Sequence, residues 1–240
     1  MRTKTLLLTA ALTALSSAAV MAQTNVYSLN AVGYINVTVL PGFNMIACQL
    51  QTGTNTLGSL IPNSTNAAGT AGVLDGCVAY KFNGTGYTVD NANSLTSTFA
   101  DQWTSGGVMT MNPGEAIWFK NTLKSNLTFT FVGTVPQGTL NVTANGPSAF
   151  NMLSSPVPQA GDLCSNMNLT NFNDGDTFYV FNPTNQAYTT YSANFIGGSA
   201  GYNQDFNPPG DPMVNVGQGF WYKTGKGGSV TWSRTFSVNQ

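Results

Sequence analysis

The sequence predicts an all-β protein: two tandem, duplicated antiparallel β-modules, each a small barrel or sandwich, behind a cleaved signal peptide. Three observations predict it. Six sequence blocks recur in the same order about 100 residues apart. Most of these blocks alternate apolar and polar residues or are rich in aromatics, and turn pairs bound them. No stretch beyond residue 22 keeps a helical period with caps at its ends.

The chain opens with Arg2 and Lys4, followed by an apolar and small-residue stretch over residues 6–19. That stretch is too short and too weakly apolar to span a bilayer. Val20-Met21-Ala22 has the small-residue pattern of a cleavage site, so residues 1–22 read as a secretory signal peptide and the mature chain begins at Gln23. The first module is then 23–135, with an N-terminal lead-in segment, and the second is 136–240. Secretion or an extracytoplasmic location follows, at the periplasm, cell surface or outside the cell. No membrane span is expected in the mature chain.

Within the modules the elements come in pairs. INVTV at 35–39 alternates as a half-buried strand does, and LNVTA at 140–144 answers it. GFNMI at 42–46 follows the turn pair Pro41-Gly42 and matches AFNML at 149–153. DGCVAYKFN at 75–83 matches DGDTFYVFN at 174–182, each an aromatic-rich strand opened by an Asp-Gly turn. Asn83-Gly84-Thr85-Gly86 reads as a hairpin turn leading to Tyr87. Asn182-Pro183-Thr184-Asn185 does the same before Tyr188. DQW at 101–103 sits opposite QDF at 204–206, and LTFTFV at 127–132 opposite the segment 230–236. The offsets between copies drift only between 99 and 107.

The sixth pair raises the functional question. GEAIWFKN at 114–121 and GQGFWYKT at 217–224 both run Gly-x-small-apolar-Trp-aromatic-Lys. As strands they place Trp118 with Ala116 and Lys120 on one side and Ile117 with Phe119 on the other. Trp221, Gly219 and Lys223 repeat the first side, and Phe220 and Tyr222 the second. The structural expectation is that Trp fills the module core, with the small residue two positions earlier making room for its ring. The functional alternative is a ligand platform of Trp118, Lys120, Trp221 and Lys223, with Trp103 as a further ring for stacking on sugars.

At these residues the chain resembles a β-module widespread in exported bacterial proteins. Its pattern is a Gly-aromatic-Asn-hydrophobic strand, a central strand ending Tyr-x-aromatic, and a Pro-Gly-x-Gly-aromatic-Trp strand. The carriers here are residues 42–46, Ala79-Tyr80-Lys81-Phe82 and 112–118. Ala149 departs from the pattern's first Gly, Val216 from its Pro and Ala116 from its second Gly. The resemblance implies an all-β exported protein and carries no catalytic residues.

Composition narrows the chemistry. Charged residues make up only 7% of the chain, against roughly a quarter in ordinary soluble proteins. Loss of Arg2 and Lys4 leaves six basic against nine acidic residues, a net charge near −3. This gives no footprint for nucleic acid. With no histidine and no Cys-x-x-Cys pair, a zinc site is unsupported, and a Ser-His-Asp triad cannot form. No cofactor is expected. The cysteines Cys48, Cys77 and Cys164 are odd in number; Cys48 and Cys77 lie in one module and are positioned in sequence for a bridge, while small buried thiols are the alternative. Asp75, Asp90, Asp101, Glu115, Asp162, Asp174, Asp176, Asp205 and Asp211 are the carboxylates from which an acid–base pair would come. Asp75 and Asp174 sit in turns, and Glu115 faces Gln218 in the other copy. The oxygen-rich run at 171–176 does not match a calcium-binding loop of the EF-hand type. The Asn-x-Thr triplets at Asn36, Asn126 and Asn141 follow from strand alternation in an Asn- and Thr-rich chain.

The expected function is therefore non-enzymatic: an exported structural or surface-interaction protein, its partner either itself or a cell-surface polymer or glycan. Residues 26–30 mimic the inter-module connection without a module before them, and 230–238 mimic it without one after. This suggests head-to-tail association through strand addition, with completion of the protein's own sheet as the rival. A carbohydrate-binding module using exposed Trp and Tyr is the alternative function, and a carboxylate-based hydrolase the third.

Overall fold

The computed structural model describes residues 31–64, 72–195, 204–207 and 210–238. The segment read as a signal peptide and the lead-in residues 23–30 lie outside them. The described residues from Val32 onward form one compact unit.

The described residues are almost wholly β. The strands are β1 (Val32–Val39), β2 (Gly42–Ile46), β3 (Val78–Phe82), β4 (Tyr87–Asn91), β5 (Ile117–Asn121), β6 (Leu127–Thr134), β7 (Gly138–Ala144) and β8 (Phe150–Ser154). They continue with β9 (Gly161–Asp162), β10 (Thr177–Asn182), β11 (Ala187–Phe195), β12 (Gln204–Asn207), β13 (Met213–Val214), β14 (Gly219–Lys223) and β15 (Val230–Phe236). The helix α1 (Leu57–Leu60) is a single turn. Among the described residues all pairings are antiparallel and no sheet closes, so of the barrel and the sandwich the barrel is set aside.

Two ribbons and two larger sheets carry the fold. β1 pairs with β6, and β7 with β15. One sheet runs β2-β5-β3-β4, the other β8-β14-β10-β11-β12. The register is alike in both: Trp118 lies between Met45 and Tyr80, and Trp221 between Met152 and Tyr179. Alternation sets the ribbon faces. Ile35, Val37 and Val39 turn inward opposite Phe131, Phe129 and Leu127. The Phe-Asn dipeptides have a polar task. Asn44 donates to Leu40 C=O (2.8 Å) and accepts from its N–H (2.9 Å). Asn151 does the same with Asn145 at 2.9 and 2.7 Å. A buried amide tying the preceding turn satisfies groups that would otherwise be costly to bury. DQW and QDF also occupy matching places, since Trp103 bridges Ala92 and Phe206 faces Ala193.

Three apolar clusters hold the unit. The first contains Leu57, Trp103, Phe119, Phe129 and Phe131. The second contains Phe178, Phe206, Phe220, Tyr222 and Trp232. The third lies between the two larger sheets and joins Met45, Ala116 and Trp118 to Met152, Phe181 and Trp221. This corrects the expectation that Trp118 and Trp221 fill their own modules. Ile117 and Phe119, and Phe220 and Tyr222, do that; the tryptophans face the other sheet. Both sides of these strands are buried, so alternation cannot say which side is the module core.

The start of each Trp strand also crosses over. Ser154 N–H donates to Gly114 C=O (2.9 Å), and Leu153 bridges Glu115. Reciprocally, Ala47 N–H donates to Gly217 C=O (2.9 Å), and Ile46 bridges Gln218. Each motif therefore pairs first with the edge strand of the other half and then with its own. Gly114 (φ 95°) and Gly217 (φ 74°) make the turn into this crossing, and Val142 and Val37 press against the space a Cβ would take. At the crossing, a Cβ on Gly219 would overlap that of Ala116 and stand 2.9 Å from Met45 Cγ. The small residue before each Trp thus makes room for the opposing strand, not for the indole as expected.

Cys48, Cys77 and Cys164 are free, buried thiols, so no Cys48–Cys77 bridge forms. Accordingly, unfolding the protein without reductant should release three titratable thiols that the folded chain hides from a thiol reagent; one thiol would show a bridge.

The crossing makes a second prediction. Gly219→Ala should destabilise the fold by about 1–3 kcal/mol through overpacking. Ala116→Gly in the same chain should recover most of that loss, read by urea denaturation; additive effects of the two changes would show that the strands do not touch there.

Candidate functional site

The aromatic side chains of the third cluster form a continuous layer between the sheets. Edge-to-face contacts cross it both ways: Phe82 meets Trp221 at 5.0 Å between ring centroids, and Phe181 meets Trp118 at 4.7 Å. Phe43 leans on Trp118 and Phe150 on Trp221, each at 5.9 Å. Tyr188 and Tyr87 close the ends, 6.2 Å from Trp118 and 6.5 Å from Trp221 respectively. These geometries suit the ring quadrupoles. Burial pushes the Tyr87 and Tyr188 hydroxyls above the ordinary phenol range, against the opposing hydrogen bonding of Trp118 and Trp221.

The five residues singled out in the sequence have different fates. Trp118 and Trp221 come together in this layer, each 7% exposed. Lys120 lies over the Phe43 ring and Lys223 over the Phe150 ring, each 5.3 Å from the centroid, at the rim of the layer. Trp103 is elsewhere, buried in the first cluster, where its indole N–H donates to Ile61 C=O (2.8 Å). Within this layer the solvent-facing aromatics are Phe43, Tyr87, Phe150 and Tyr188.

Two cavities open at one end of the layer and share Phe82 and Phe150. One, of about 390 Å³, is walled by Phe82, Tyr87, Phe150, Tyr179, Tyr188 and Trp221. The other, of about 430 Å³, runs between the β3–β4 hairpin and β7–β8, with Lys81, Asn83, Glu115 and Asn145 among its polar groups. Apart from Trp221, none of the aromatic wall was singled out as a site residue from sequence. The signal was the i, i+2 repeat in Tyr80/Phe82 and Tyr179/Phe181, which puts each pair on one face.

The carboxylates with described contacts serve turns and pairs. Burial pushes the Asp75 carboxyl up, but hydrogen bonds from Ser94, Asn63 and backbone N–H groups outweigh it and hold it below the usual range. Asp90 accepts from the N–H groups of Ser105 (2.7 Å) and Gly107 (3.0 Å). Asp176 is fully buried and accepts from Asn173 N–H (2.7 Å), Gly225 N–H (2.6 Å) and the Tyr222 hydroxyl. Burial and that carboxylate push the Tyr222 phenol far up. Burial, then Asp211 and Asp162, push the Cys164 thiol up to about 12, so it is not a reactive thiolate. Among the described residues no group of three or more His, Cys, Asp or Glu is placed to hold a metal.

Glu115 pairs with Lys81 at 2.8 Å in the cleft wall. Burial raises its pKa, but the hydrogen bonds from Lys81 and Asn112 N–H and the Lys81 charge bring it below the ordinary value.

No family model matches the chain, and no curated protein or solved structure proved similar to it.

The depressed Glu115 value fixes a pH dependence. Its contribution to stability is complete above the ordinary carboxylate pKa of about 4.3 and fades as pH falls through the lower folded value. A double-mutant cycle of Lys81→Met and Glu115→Gln should give a coupling of about 0.2–1 kcal/mol at pH 7 that weakens as pH falls below the ordinary carboxylate range. A coupling unchanged at pH 3 would contradict the pairing.

Proposed function

We propose that the protein is a non-enzymatic, exported structural or surface-interaction protein: a tandem duplication of one β-module, related to the exported bacterial modules it resembles. The observation that carries the reading is the use made of its shared motifs. The features repeated between halves go into packing: Trp118 and Trp221 into the inter-sheet layer, Asn44 and Asn151 into turns, Gly114 and Gly217 into the crossing. Duplication is supported by the like strand orders and registers. Export is supported by the N-terminal sequence pattern.

Self-association has its own support. On the β1–β6 ribbon, Val32 (74% exposed), Tyr34 (67%) and Val132 (58%) show apolar surface, with Tyr34 directly opposite Val132. Sparse charge offers little repulsion between copies. Val32 and Gly33 pair with Thr134 and Gly133 of their own chain. Any strand added head-to-tail therefore belongs to residues before β1, outside the described ones. A second reading, binding of a neutral glycan, is favoured by the aromatic cavity beside Trp221.

The test is light scattering and electron microscopy of residues 23–240 beside a Tyr34→Lys/Val132→Lys variant. Concentration-dependent oligomers in the parent, lost in the variant, are expected. Folded monomers in both at high concentration would remove self-association. Release of reducing ends from a polysaccharide panel would remove the non-enzymatic reading.

A further inference from the structure

The two halves present the same cleft twice, and one copy is plugged. On one side the β10–β11 turn lies against Phe43, at the start of β2. Gln186 accepts from Phe43 N–H (2.8 Å) and donates to Phe43 C=O (3.0 Å) and Pro183 C=O (2.7 Å). The cleft there, between Asn36, Asn44, Phe181 and Gln218, is about 190 Å³. On the other side Asn83 and Gly84 of the β3–β4 turn face Phe150, at the start of β8, across the cavity of about 430 Å³.

Phe150 matches Phe43 in register: Phe43 faces Lys120 and Phe150 faces Lys223. Strand parity gives the direction of its backbone groups. Ser154 N–H leaves the outer edge of β8 for Gly114, and Phe150 lies four residues before it, so Phe150 N–H and C=O also leave by that edge. Ala47 and Phe43 stand in the same relation on β2. The hairpin facing Phe150 is one residue pair shorter than its counterpart and has no equivalent of Gln186. Both turns hold four residues, but the last pair is Phe82–Tyr87 in one hairpin and Asn182–Ala187, one step beyond Phe181–Tyr188, in the other. In that shorter hairpin the Asn83 side-chain oxygen accepts from the N–H groups of Thr85 and Gly86.

The Gln186 precedent defines what would fit at Phe150: an acceptor and a donor side by side on one edge of a small neutral group. A vicinal diol of a pyranose ring has that arrangement, one hydroxyl accepting from N–H and its neighbour donating to C=O. The ring beyond it would meet Phe150, Phe82 and the aromatic cavity, whose walls suit the C–H face of a sugar. Lys81 and Glu115 neutralise each other in the cleft, so the wall favours an uncharged ligand. We propose that the open cleft is a binding site for a neutral hexopyranose unit of a glycan, held by its vicinal diol on the Phe150 backbone. The proposal rests on the glycan-binding reading above and names its site and its recognition chemistry.

The test is amide-resolved NMR titration of residues 23–240 with cellotriose and with maltotriose. At least one should shift the Phe150 amide together with resonances of Tyr87 and Trp221, with a Kd near 1 mM or tighter. Replacing residues 83–86 by the sequence of 182–187 should plug the cleft and weaken binding at least tenfold while the remaining amide spectrum stays folded. Gln186→Ala should open the second cleft, so that the Phe43 amide also shifts. Shifts at Tyr87 and Trp221 without Phe150, unaffected by the graft, would overturn the diol site and leave glycan binding standing. No shift with either sugar would overturn both. Phe150 shifts that grow with protein concentration alone and vanish in the graft would give the site to a carboxamide from a second copy, and would also overturn the proposal.

Discussion

The structure depends on one close approach, where the strand through Ala116 passes the strand through Gly219. Everything between the two larger sheets is set by how near those backbones come. A methyl group on one side and a hydrogen on the other let Gly114–Ser154 and Gly217–Ala47 form their backbone bonds. Those bonds bring Trp118 under Phe181 and Trp221 under Phe82. Two aromatic sheet faces, joined in one layer, and two strand edges are thereby satisfied together. An edge strand left open and a Trp face left wet would each be a liability on its own.

This arrangement explains why the two motifs share residues that neither half needs for itself. The glycine that opens each Trp strand is shaped by a valine of the opposite half, Val142 for Gly114 and Val37 for Gly217. Within a half, Phe119 or Tyr222 would suffice to fill the interior. The tryptophans exist for the contact across. The two halves differ at the rim, with Glu115 against Gln218 and a β3–β4 hairpin one pair shorter than the one carrying Gln186, and in their interiors, with Cys77 against Asp176 and Ala79 against Phe178. At the crossing itself the pair is a methyl against a hydrogen, Ala116 against Gly219.

Much of this was legible in the sequence, and the limits have physical causes. Period-two alternation located β1, β6, β7 and β15 and put Trp118 with Ala116 and Lys120, because side-chain direction follows from backbone geometry alone. Turn chemistry placed the hairpins after Phe82 and Phe181. What alternation cannot supply is a partner. Ile117, Trp118 and Phe119 are all apolar and all buried, so the sequence distinguishes two sides without naming which one meets the other half. The two-residue strands β9 and β13 and the single turn α1 are shorter than any period and left no pattern. Cys48 and Cys77 share a module, but proximity along a chain does not bring two sulfurs to bonding geometry. The aromatic wall was visible as Tyr-x-Phe repeats. That it opens at Phe150 and closes at Phe43 depends on one extra residue pair in the β10–β11 hairpin and on a single glutamine.

On the duplication reading, the crossing of Ala116 and Gly219 lies where a rotation axis would pass between two identical copies. A lone ancestral unit carrying this motif would have been a poor monomer, since its indole face and its free edge are complementary only to themselves. It would have lived as a homodimer. On that reading, fusion of two copies into one chain would have removed the concentration dependence of that pairing and released each copy from the obligation to match the other, and hairpins of unequal length are a difference such release allows.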